Sequence, residues 1–268
     1  MKFAVYQASR IGGRKYNQDR VAYAYSDKAL LLVLADGMGG HLHGEIAAQI
    51  AIQTFMQAFA QAAQPRVLEP EEFLRETVRR AHEAIIQYAL EQHLGGSPGT
   101  TCVAALVQDG QACWAYAGDS RCYLLRGGRT VAVTHDHSAV QQWVDWGIIK
   151  PEAMKTHPDR NKITNCLGGV EDMFYVESTS AVPLQPDDVL LLCSDGLWGP
   201  LFDAEIEAAF SIAPLAAALD QLMDRALLLG GDYADNTTAV VARLGDAEDE
   251  QTAPAPVCVE LEVEQPIS

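Results

Sequence analysis

The order of apolar and polar positions predicts a chain in which blocks of strands alternate with blocks of helices. Short apolar runs between polar turns predict three strands near the N-terminus, at residues 3–9, 21–25 and 30–35. Apolar residues spaced three or four apart then predict two amphipathic helices, at residues 45–59 and 70–93. Pro70 and the two glutamates behind it suit the first turn of the second helix.

Strands return in the second half of the chain. The predicted strands are residues 101–107, 112–117, 122–126, 130–133, 173–178, 189–193 and 237–244. The predicted helices are residues 138–146, 203–210 and 214–229, and residues 147–169 are irregular. The Asp109-Gly110 and Gly127-Gly128 pairs are hairpin signals, so neighbouring strands are expected to run antiparallel. The pattern predicts an α+β fold of antiparallel sheets covered by helices, not a doubly wound parallel sheet.

The composition is that of an ordinary globular protein. The chain has 268 residues, of which 49% are apolar and 21% charged. No apolar run approaches the roughly 20 residues that a membrane helix needs. The N-terminus lacks the apolar core of a signal peptide, so a cytoplasmic protein with no membrane partner is expected. The six cysteines are scattered without a C-x-x-C pair, which favours buried apolar roles over disulfides or zinc.

The distribution of charge predicts a domain boundary and argues against one class of partner. We expect one domain over residues 1–245 and a tail over residues 246–268, whose acidic, proline-containing composition is typical of disorder. The net charge of −17 argues against a nucleic-acid partner, because such binders normally present a basic patch. A metal-dependent nuclease would suit the carboxylates described next but not this charge balance.

Four aspartates stand at the ends of predicted strands or directly before one. They are Asp36, Asp119, Asp195 and Asp235. If these carboxylates converge, each pair at about 4 Å repels by about 4 kcal/mol at an effective dielectric constant of roughly 20. Mg²⁺ or Mn²⁺, which prefer oxygen ligands, would neutralise them. The alternative is that each aspartate only caps a turn, as Asp-Gly and Asp-Asn commonly do.

Eight short motifs occur in the order found in protein phosphatase 2C (PPM) enzymes. They are RKYNQDR at 14–20, ADGMGGH at 35–41, GTT at 99–101, GDSR at 118–121, DHS at 136–138, HPDRN at 157–161, SDGL at 194–197 and DNT at 235–237. Together they resemble the bacterial branch of this family, which partners Hanks-type Ser/Thr kinases, over residues 3–244. The resemblance implies a four-layer α-β-β-α sandwich and a monomeric enzyme that hydrolyses phosphoserine and phosphothreonine in proteins.

The resemblance also implies a role for each motif. Asp36 would bridge two Mn²⁺ or Mg²⁺ ions, with the Gly37 carbonyl on the second ion. Asp195 and Asp235 would hold the first ion, and Asp119 would share a weaker third site with Asp195. The two ions would lower the pKa of a bridging water, which then attacks phosphorus directly.

Three further residues follow from the same motifs. Asp19 would accept hydrogen bonds from metal-bound water, and Asn236 would do similar work. Arg14 would grip the phosphate through its planar guanidinium group. The alternative for Arg14 is a loop arginine on the surface.

Two departures from the family pattern concern the second metal and the general acid. Gln18 stands where many members carry glutamate, which removes one charge near the second ion. Met38 occupies the position of a histidine proposed as general acid, and a thioether cannot donate a proton. His41 is the candidate substitute; solvent is the other. The remaining loop histidines are expected to stabilise turns; they are His43, His135, His137 and His157.

Residues 147–169 match the family's flap, a loop beside the cleft, and their Pro and Gly content suits a mobile lid. The cluster Lys150, Lys155, Arg160 and Lys162 in this loop is either solvated or a phosphopeptide-docking surface. Two alternatives to a general phosphatase stay open. One is a phosphatase for a single regulatory switch protein, and the other is a catalytically inactive module that binds phosphoproteins.

Overall fold

The structure is a computed structural model that describes residues 1–38, 43–169, 174–211 and 214–245. Its strands, in chain order, are β1 (Phe3–Arg10), β2 (Asp19–Tyr25), β3 (Ala29–Met38), β4 (Gly99–Thr100), β5 (Cys102–Gln108), β6 (Gln111–Ala117), β7 (Arg121–Arg126), β8 (Arg129–Val133), β9 (Leu167–Gly168), β10 (Glu177–Ser178), β11 (Val182–Pro183), β12 (Val189–Cys193) and β13 (Thr237–Leu244). Its α-helices are α1 (Gly44–Ala62), α2 (Pro70–Glu91), α3 (Ala139–Asp145), α4 (Asp195–Trp198), α5 (Asp203–Ala209) and α6 (Leu215–Gly230). Short 3₁₀ helices lie at Pro151–Thr156 and Gly231–Tyr233.

The strands form two antiparallel sheets. The first has five strands in the order β1-β13-β12-β7-β8. The second has eight, in the order β10-β6-β5-β3-β4-β9, with β11 also paired to β6 and β2 to β3. Because β6 belongs to the second sheet and β7 to the first, the loop between them crosses from one sheet to the other. Asp119 lies in that loop.

Three apolar clusters divide the molecule into four layers. One cluster packs α1 and α2 against the second sheet. Another packs α5 and α6 against the first sheet. The third fills the space between the two sheets. This is the α-β-β-α sandwich that the family resemblance implies.

Strand β3 shows why an unbroken apolar run is needed at the centre of such a sandwich. Side chains alternate between the two faces of a strand. Leu30, Leu32 and Leu34 lie in the cluster between the sheets, whereas Leu31 and Val33 lie against the helices. Both faces are therefore buried, and a polar residue on either would lose its hydration.

The predicted elements agree with the structure except in the region around the flap. Residues 174–176 have no regular structure, and only Glu177–Ser178 of the predicted strand at 173–178 pairs with β6. The irregular stretch at 147–169 contains the 3₁₀ helix Pro151–Thr156 and β9. The expected tail at 246–268, like Met173, lies outside the described residues.

The burial of the cysteines agrees with the prediction wherever the structure describes them. Four are buried and one is half-buried, and all five are free thiols: Cys102, Cys113, Cys122, Cys193 and Cys166. Cys258 lies outside the described residues. Within the described chain, no helix is both long and apolar enough to cross a membrane.

The contribution of the helix layer to stability can be tested on two leucines of opposite exposure. Leu74 on α2 is 0% exposed, whereas Leu68, just before the helix, is 95% exposed. We expect Leu74→Ala to lower the free energy of unfolding by about 2–5 kcal/mol, because it removes buried methyl groups and leaves a cavity. The matched Leu68→Ala change is expected to stay within about 0.5 kcal/mol. Urea denaturation measures both, and equal losses would contradict the layer assignment.

Candidate metal centre

Five aspartates from both sheets surround one cleft. Asp36 lies near the end of β3, Asp119 follows β6, Asp195 follows β12, and Asp235 precedes β13. Asp19, the first residue of β2, completes the group. The four aspartates that strand ends singled out in the sequence are therefore neighbours in space, and the register of β2 adds the fifth.

Strand pairing places Asp19 opposite Asp36. The two residues are direct partners in the antiparallel β2–β3 ladder, so their side chains lie on the same face. Alternation along β3 puts Asp36 on the same side as Leu34, which faces the other sheet. From that sheet, the Ser194 hydroxyl donates to Asp19 Oδ2 at 2.9 Å. Asp19 is held between the sheets, where it is only 3% exposed.

The electrostatics of the cleft are those of a carboxylate cluster whose negative charge is only partly compensated, by Arg14 at Asp235. Burial raises the pKa of Asp36 well above its ordinary value, and the charges of Asp19, Asp195, Asp119 and Asp235 raise it further. Burial likewise raises the pKa of Asp195 to about 7, with Asp235 and Asp19 as the largest charge contributions. The pKa of Asp119 is raised by burial and then by Asp195. A cation in this cleft would relieve a repulsion that the fold imposes.

The loop that carries Asp119 is built on a glycine with no room for a side chain. Gly118 has a φ of +119°, and a Cβ on it would lie 2.5 Å from Cβ of Thr101. The Thr101 hydroxyl shares a 2.7 Å hydrogen bond with Ser120. The Thr101 hydroxyl also accepts a 3.1 Å hydrogen bond from the backbone N–H of Asp36. Thr101 therefore holds the backbone of Asp36 and, through Ser120, the loop that carries Asp119.

His137 supports the same loop from the opposite side. Its Nδ1 accepts the backbone N–H of Gly118 at 3.1 Å and the side-chain amide of Asn165 at 2.9 Å. Its Nε2 then carries the proton and donates to Glu177 at 2.9 Å. Burial lowers the pKa of this ring, and Glu177 opposes that effect. His137 stabilises a turn, as the sequence suggested, and that turn is next to Asp119.

Arg14 reaches the cleft from the loop between β1 and β2. Its Nη2 donates to Asp235 Oδ2 at 2.6 Å, across 221 residues of sequence, and its side chain is 55% exposed. Asn236 holds this loop in place: its amide donates to the carbonyls of Ile11 and Tyr16, and its Oδ1 accepts the N–H of Gln18. The amide of Asn236 therefore supports the arginine loop.

The remaining candidates have different positions. Gly37 packs so tightly that a Cβ would lie 2.3 Å from the Gly44 carbonyl oxygen, which explains the glycine. The Gln18 side chain donates to Glu45 at 3.2 Å. Met38 ends β3. His41, the candidate general acid, lies outside the described residues.

The donor set fits hard divalent cations. All five groups are carboxylates, the ligands that Mg²⁺ and Mn²⁺ prefer. Two buried oxygens, Asp19 Oδ1 and Asp119 Oδ1, have no hydrogen-bond partner among the described residues. No three His, Cys, Asp or Glu side chains in that part of the chain already converge closely enough to enclose an ion. The cluster therefore offers unused acceptors to a cation.

Sequence reasoning missed the residue that links Asp119 to Asp195. Trp198, the last residue of α4, donates from its indole N–H to the Asp119 carbonyl at 3.0 Å. The Arg121 guanidinium lies 3.6 Å from the centre of the indole ring and forms two 2.8 Å bonds to the buried Asp136. The Gly-Asp-Ser-Arg motif gave a signal for Arg121, but nothing local pointed to Trp198.

The cleft opens into a cavity of about 570 Å³. Arg14, Asp119, Asp195 and Asp235 line one part of it. Residues of the flap, among them Lys155 and Arg160, line another. The carboxylates and the flap therefore share one cavity.

Comparisons with known proteins agree on one family. Residues 6–228 match the family described as protein phosphatase 2C. The serine/threonine phosphatase stp of Listeria innocua is 35% identical over 232 residues, covering 85% of this chain and 90% of that protein. The serine/threonine protein phosphatase PstP of Mycobacterium tuberculosis is 39% identical over 243 residues, or 90% of this chain, but the match spans only 45% of PstP.

A solved structure extends the similarity to the fold. The catalytic domain of PstP, crystallised in complex with two manganese ions, superposes with a TM-score of 0.75 at 32% identity. The superposition covers 91% of this chain and 99% of that domain. With the motifs, the sandwich and the carboxylate cleft in agreement, the chain belongs to the protein phosphatase 2C family.

Proposed function

We propose that this chain is a metal-dependent phosphatase that removes phosphate from phosphoserine and phosphothreonine in proteins. The observation that carries the proposal is the convergence of five mutually repelling aspartates on a cleft that also contains Arg14. That combination suits a phosphate ester, because cations held by the carboxylates and a guanidinium group all attract its oxygens. The two relatives described above are both named serine/threonine phosphatases, which supports the same substrate class.

The chain's own residues would divide the work of holding two Mn²⁺ or Mg²⁺ ions. Asp36 lies among the other four aspartates and would help to hold both ions, and the Gly37 carbonyl would help to hold the second. Asp195 and Asp235 would hold the first ion, and Asp119 with Asp195 a weaker third. When bound, the ions supply Lewis acidity that makes water a nucleophile near neutral pH. The free Oδ1 of Asp19 would accept a hydrogen bond from that water and so orient it.

Arg14 would bind the phosphate. Its guanidinium group now pairs with Asp235, because the aspartate offers the nearest negative charge. A cation on Asp235 would compete for that carboxylate and release the guanidinium group toward the cavity that it lines. The side chain is more than half exposed, so the movement disturbs little packing.

The role of Arg14 can be tested against Arg10, which lies four residues earlier and pairs with Asp220 at 2.9 Å. We expect Arg14→Ala to lower kcat/KM for a phosphothreonine peptide by about 100-fold, because a bidentate charged contact is lost. Arg10→Ala is expected to leave kcat/KM within about twofold. Steady-state kinetics in saturating Mn²⁺ measure both. Equal effects of the two changes would contradict a phosphate-binding role.

The leaving group must also take up a proton. Met38 cannot supply one. We propose that His41 or solvent protonates the departing alkoxide. Comparing His41→Gln with the unchanged enzyme on leaving groups of different pKa decides between them, since loss of a general acid affects poor leaving groups most.

One assay tests the proposal as a whole. A phosphothreonine peptide is incubated with and without Mn²⁺, using protein from which metal has been removed by EDTA. We expect phosphate release only with the metal. Binding of the peptide without release would support the inactive phosphoprotein-binding module instead. The proposed physiological partners are phosphorylated proteins and the Hanks-type kinase that modifies them, with the phosphatase acting as a monomer.

A further inference from the structure

A lysine of the flap bonds to the chain segment that begins at Asp195. Lys155 lies in the 3₁₀ helix Pro151–Thr156, and its Nζ donates to the carbonyl of Trp198 at 3.2 Å and to that of Leu201. The ammonium group also lies 5.9 Å from the centre of the Phe202 ring. Lys155 is thus turned into the protein, and desolvation lowers the pKa of its amine.

The other cations of the flap do not share this arrangement. Lys162 pairs with Asp159, also in the flap, at 2.6 Å, and its side chain is 68% exposed. Lys150 and Arg160 are exposed. Of the two roles that the sequence left open for the cluster, neither applies to Lys155, because its amine is occupied by the body of the protein.

One of the two carbonyls that Lys155 binds, that of Trp198, lies at the end of a helix that needs hydrogen-bond donors. α4 has only four residues, so its carbonyls lack most of the usual intrahelical donors. Thr237 donates its hydroxyl to the Gly196 carbonyl at 3.3 Å, and Lys155 supplies the donor for Trp198. A cation at the C-terminal end also opposes the partial negative charge there.

This short helix connects two aspartates of the cleft. Asp195 is its first residue and Trp198 its last. The indole N–H of Trp198 holds the Asp119 carbonyl, and its ring lies under Arg121. A movement of α4 would therefore displace both Asp119 and Asp195, and Lys155 joins the flap to α4.

We propose that Lys155 is a positioning residue, which fastens the flap to α4 and, through Trp198, holds the Asp119 and Asp195 carboxylates in place. The inference rests on the proposed metal-binding roles of these two aspartates. It predicts that the position of the flap and the affinity for the weakest-bound ion, the one assigned to Asp119 and Asp195, depend on each other. When the flap opens, the affinity for that ion falls, and binding of the ion favours the docked flap.

Hydrogen exchange of the metal-free protein tests the first half of this proposal without any activity. Lys155→Met removes the amine but keeps the length of the side chain. We expect amide exchange to accelerate about tenfold or more in both the Pro151–Thr156 helix and α4, including the N–H of Gly199, which donates to the Asp195 carbonyl. Lys155→Arg, which keeps a cationic donor, should restore most of the protection. Lys162→Met is the matched control and should leave α4 unchanged.

Binding of Mn²⁺, followed by electron paramagnetic resonance, tests the second half. In Lys155→Met, we expect the affinity of the weakest-bound ion to fall about tenfold or more, while the tighter ions keep their affinity. Trp198→Phe removes the N–H that holds Asp119 but keeps an aromatic ring, so it should weaken the same ion and leave the flap protected. Unchanged exchange in α4, or unchanged Mn²⁺ binding in both variants, would overturn the proposal. If the protein binds Mn²⁺ but releases no phosphate, the proposed function fails while these measurements still decide the role of Lys155.

Discussion

Asp195→Asn is expected to abolish phosphatase activity while it stabilises the metal-free protein. The activity should fall about 1,000-fold or more, because a metal ion contributes several kcal/mol to the transition state and each 1.36 kcal/mol is a factor of ten. The stability should rise at pH 8 by roughly 2 kcal/mol, because the substitution removes one buried charge from a cluster of five. Most substitutions of buried residues destabilise a protein, so a gain here identifies a site selected for function.

The stability gain has a defined pH dependence. The pKa of Asp195 is raised to about 7 in the folded protein from an ordinary value of 3.8. Between these values the folded protein keeps a proton that the unfolded chain has released, so the unfolding free energy falls as the pH rises. In EDTA, this decrease from pH 5 to pH 8 should be shallower for Asp195→Asn than for the unchanged protein. Urea denaturation at several pH values measures the difference.

The control for this prediction is Asp224→Asn on the exposed side of α6. It removes the same charge from the protein but not from the cleft. We expect activity and pH dependence to stay close to those of the unchanged protein. If Asp195→Asn retains more than a tenth of the activity, or is the less stable protein in EDTA at pH 8, the assignment of Asp195 to a metal site is wrong.

Mn²⁺ is expected to raise the melting temperature of the unchanged protein by about 5–10 °C. At a free ion concentration 100 times the dissociation constant, binding to the folded state alone contributes about 2.7 kcal/mol. For a domain of this size, each kcal/mol of stabilisation raises the melting temperature by a few degrees. The physical reason is the repulsion around Asp36, whose pKa is raised well above its ordinary value by burial and by four neighbouring carboxylates.

Asp36→Asn separates specific binding from a general salt effect. Asp36 interacts with every other aspartate of the cleft, so its loss should remove most of the thermal shift. NaCl at matched ionic strength should produce little shift in either protein, since screening acts mainly on exposed charges. Differential scanning calorimetry in EDTA, in Mn²⁺ and in NaCl provides the measurement. An equal Mn²⁺ shift in both proteins would place the ions elsewhere.

Local pattern was sufficient for most of the secondary structure. The apolar run from Leu30 to Ala35 and the helical spacing after Pro70 each predicted an element that the structure contains. The prediction was wrong where pairing, not pattern, limits the strand. Of residues 174–178, only Glu177 and Ser178 find partners on β6, opposite Tyr116 and Ala115.

The candidate site was likewise only partly predictable from the sequence. The strand-end positions of Asp36, Asp119, Asp195 and Asp235 could be read from the chain, because a strand end next to glycine is a local feature. Their convergence could not be derived from any single segment. It depends on two sheets that face each other and on the loop that carries Asp119 from one sheet to the other.

The sequence by itself determined the order of elements, the aspartates at strand ends and, through its ordered motifs, the family. Only the tertiary structure decided that Asp19 pairs with Asp36, that Arg14 reaches Asp235 and that Lys155 binds the end of α4. The physical reason is the range of the interactions. Periodicity and turn chemistry act over a few neighbouring residues, whereas contacts between carboxylates, guanidinium groups and free carbonyls depend on which distant strands and loops fold together.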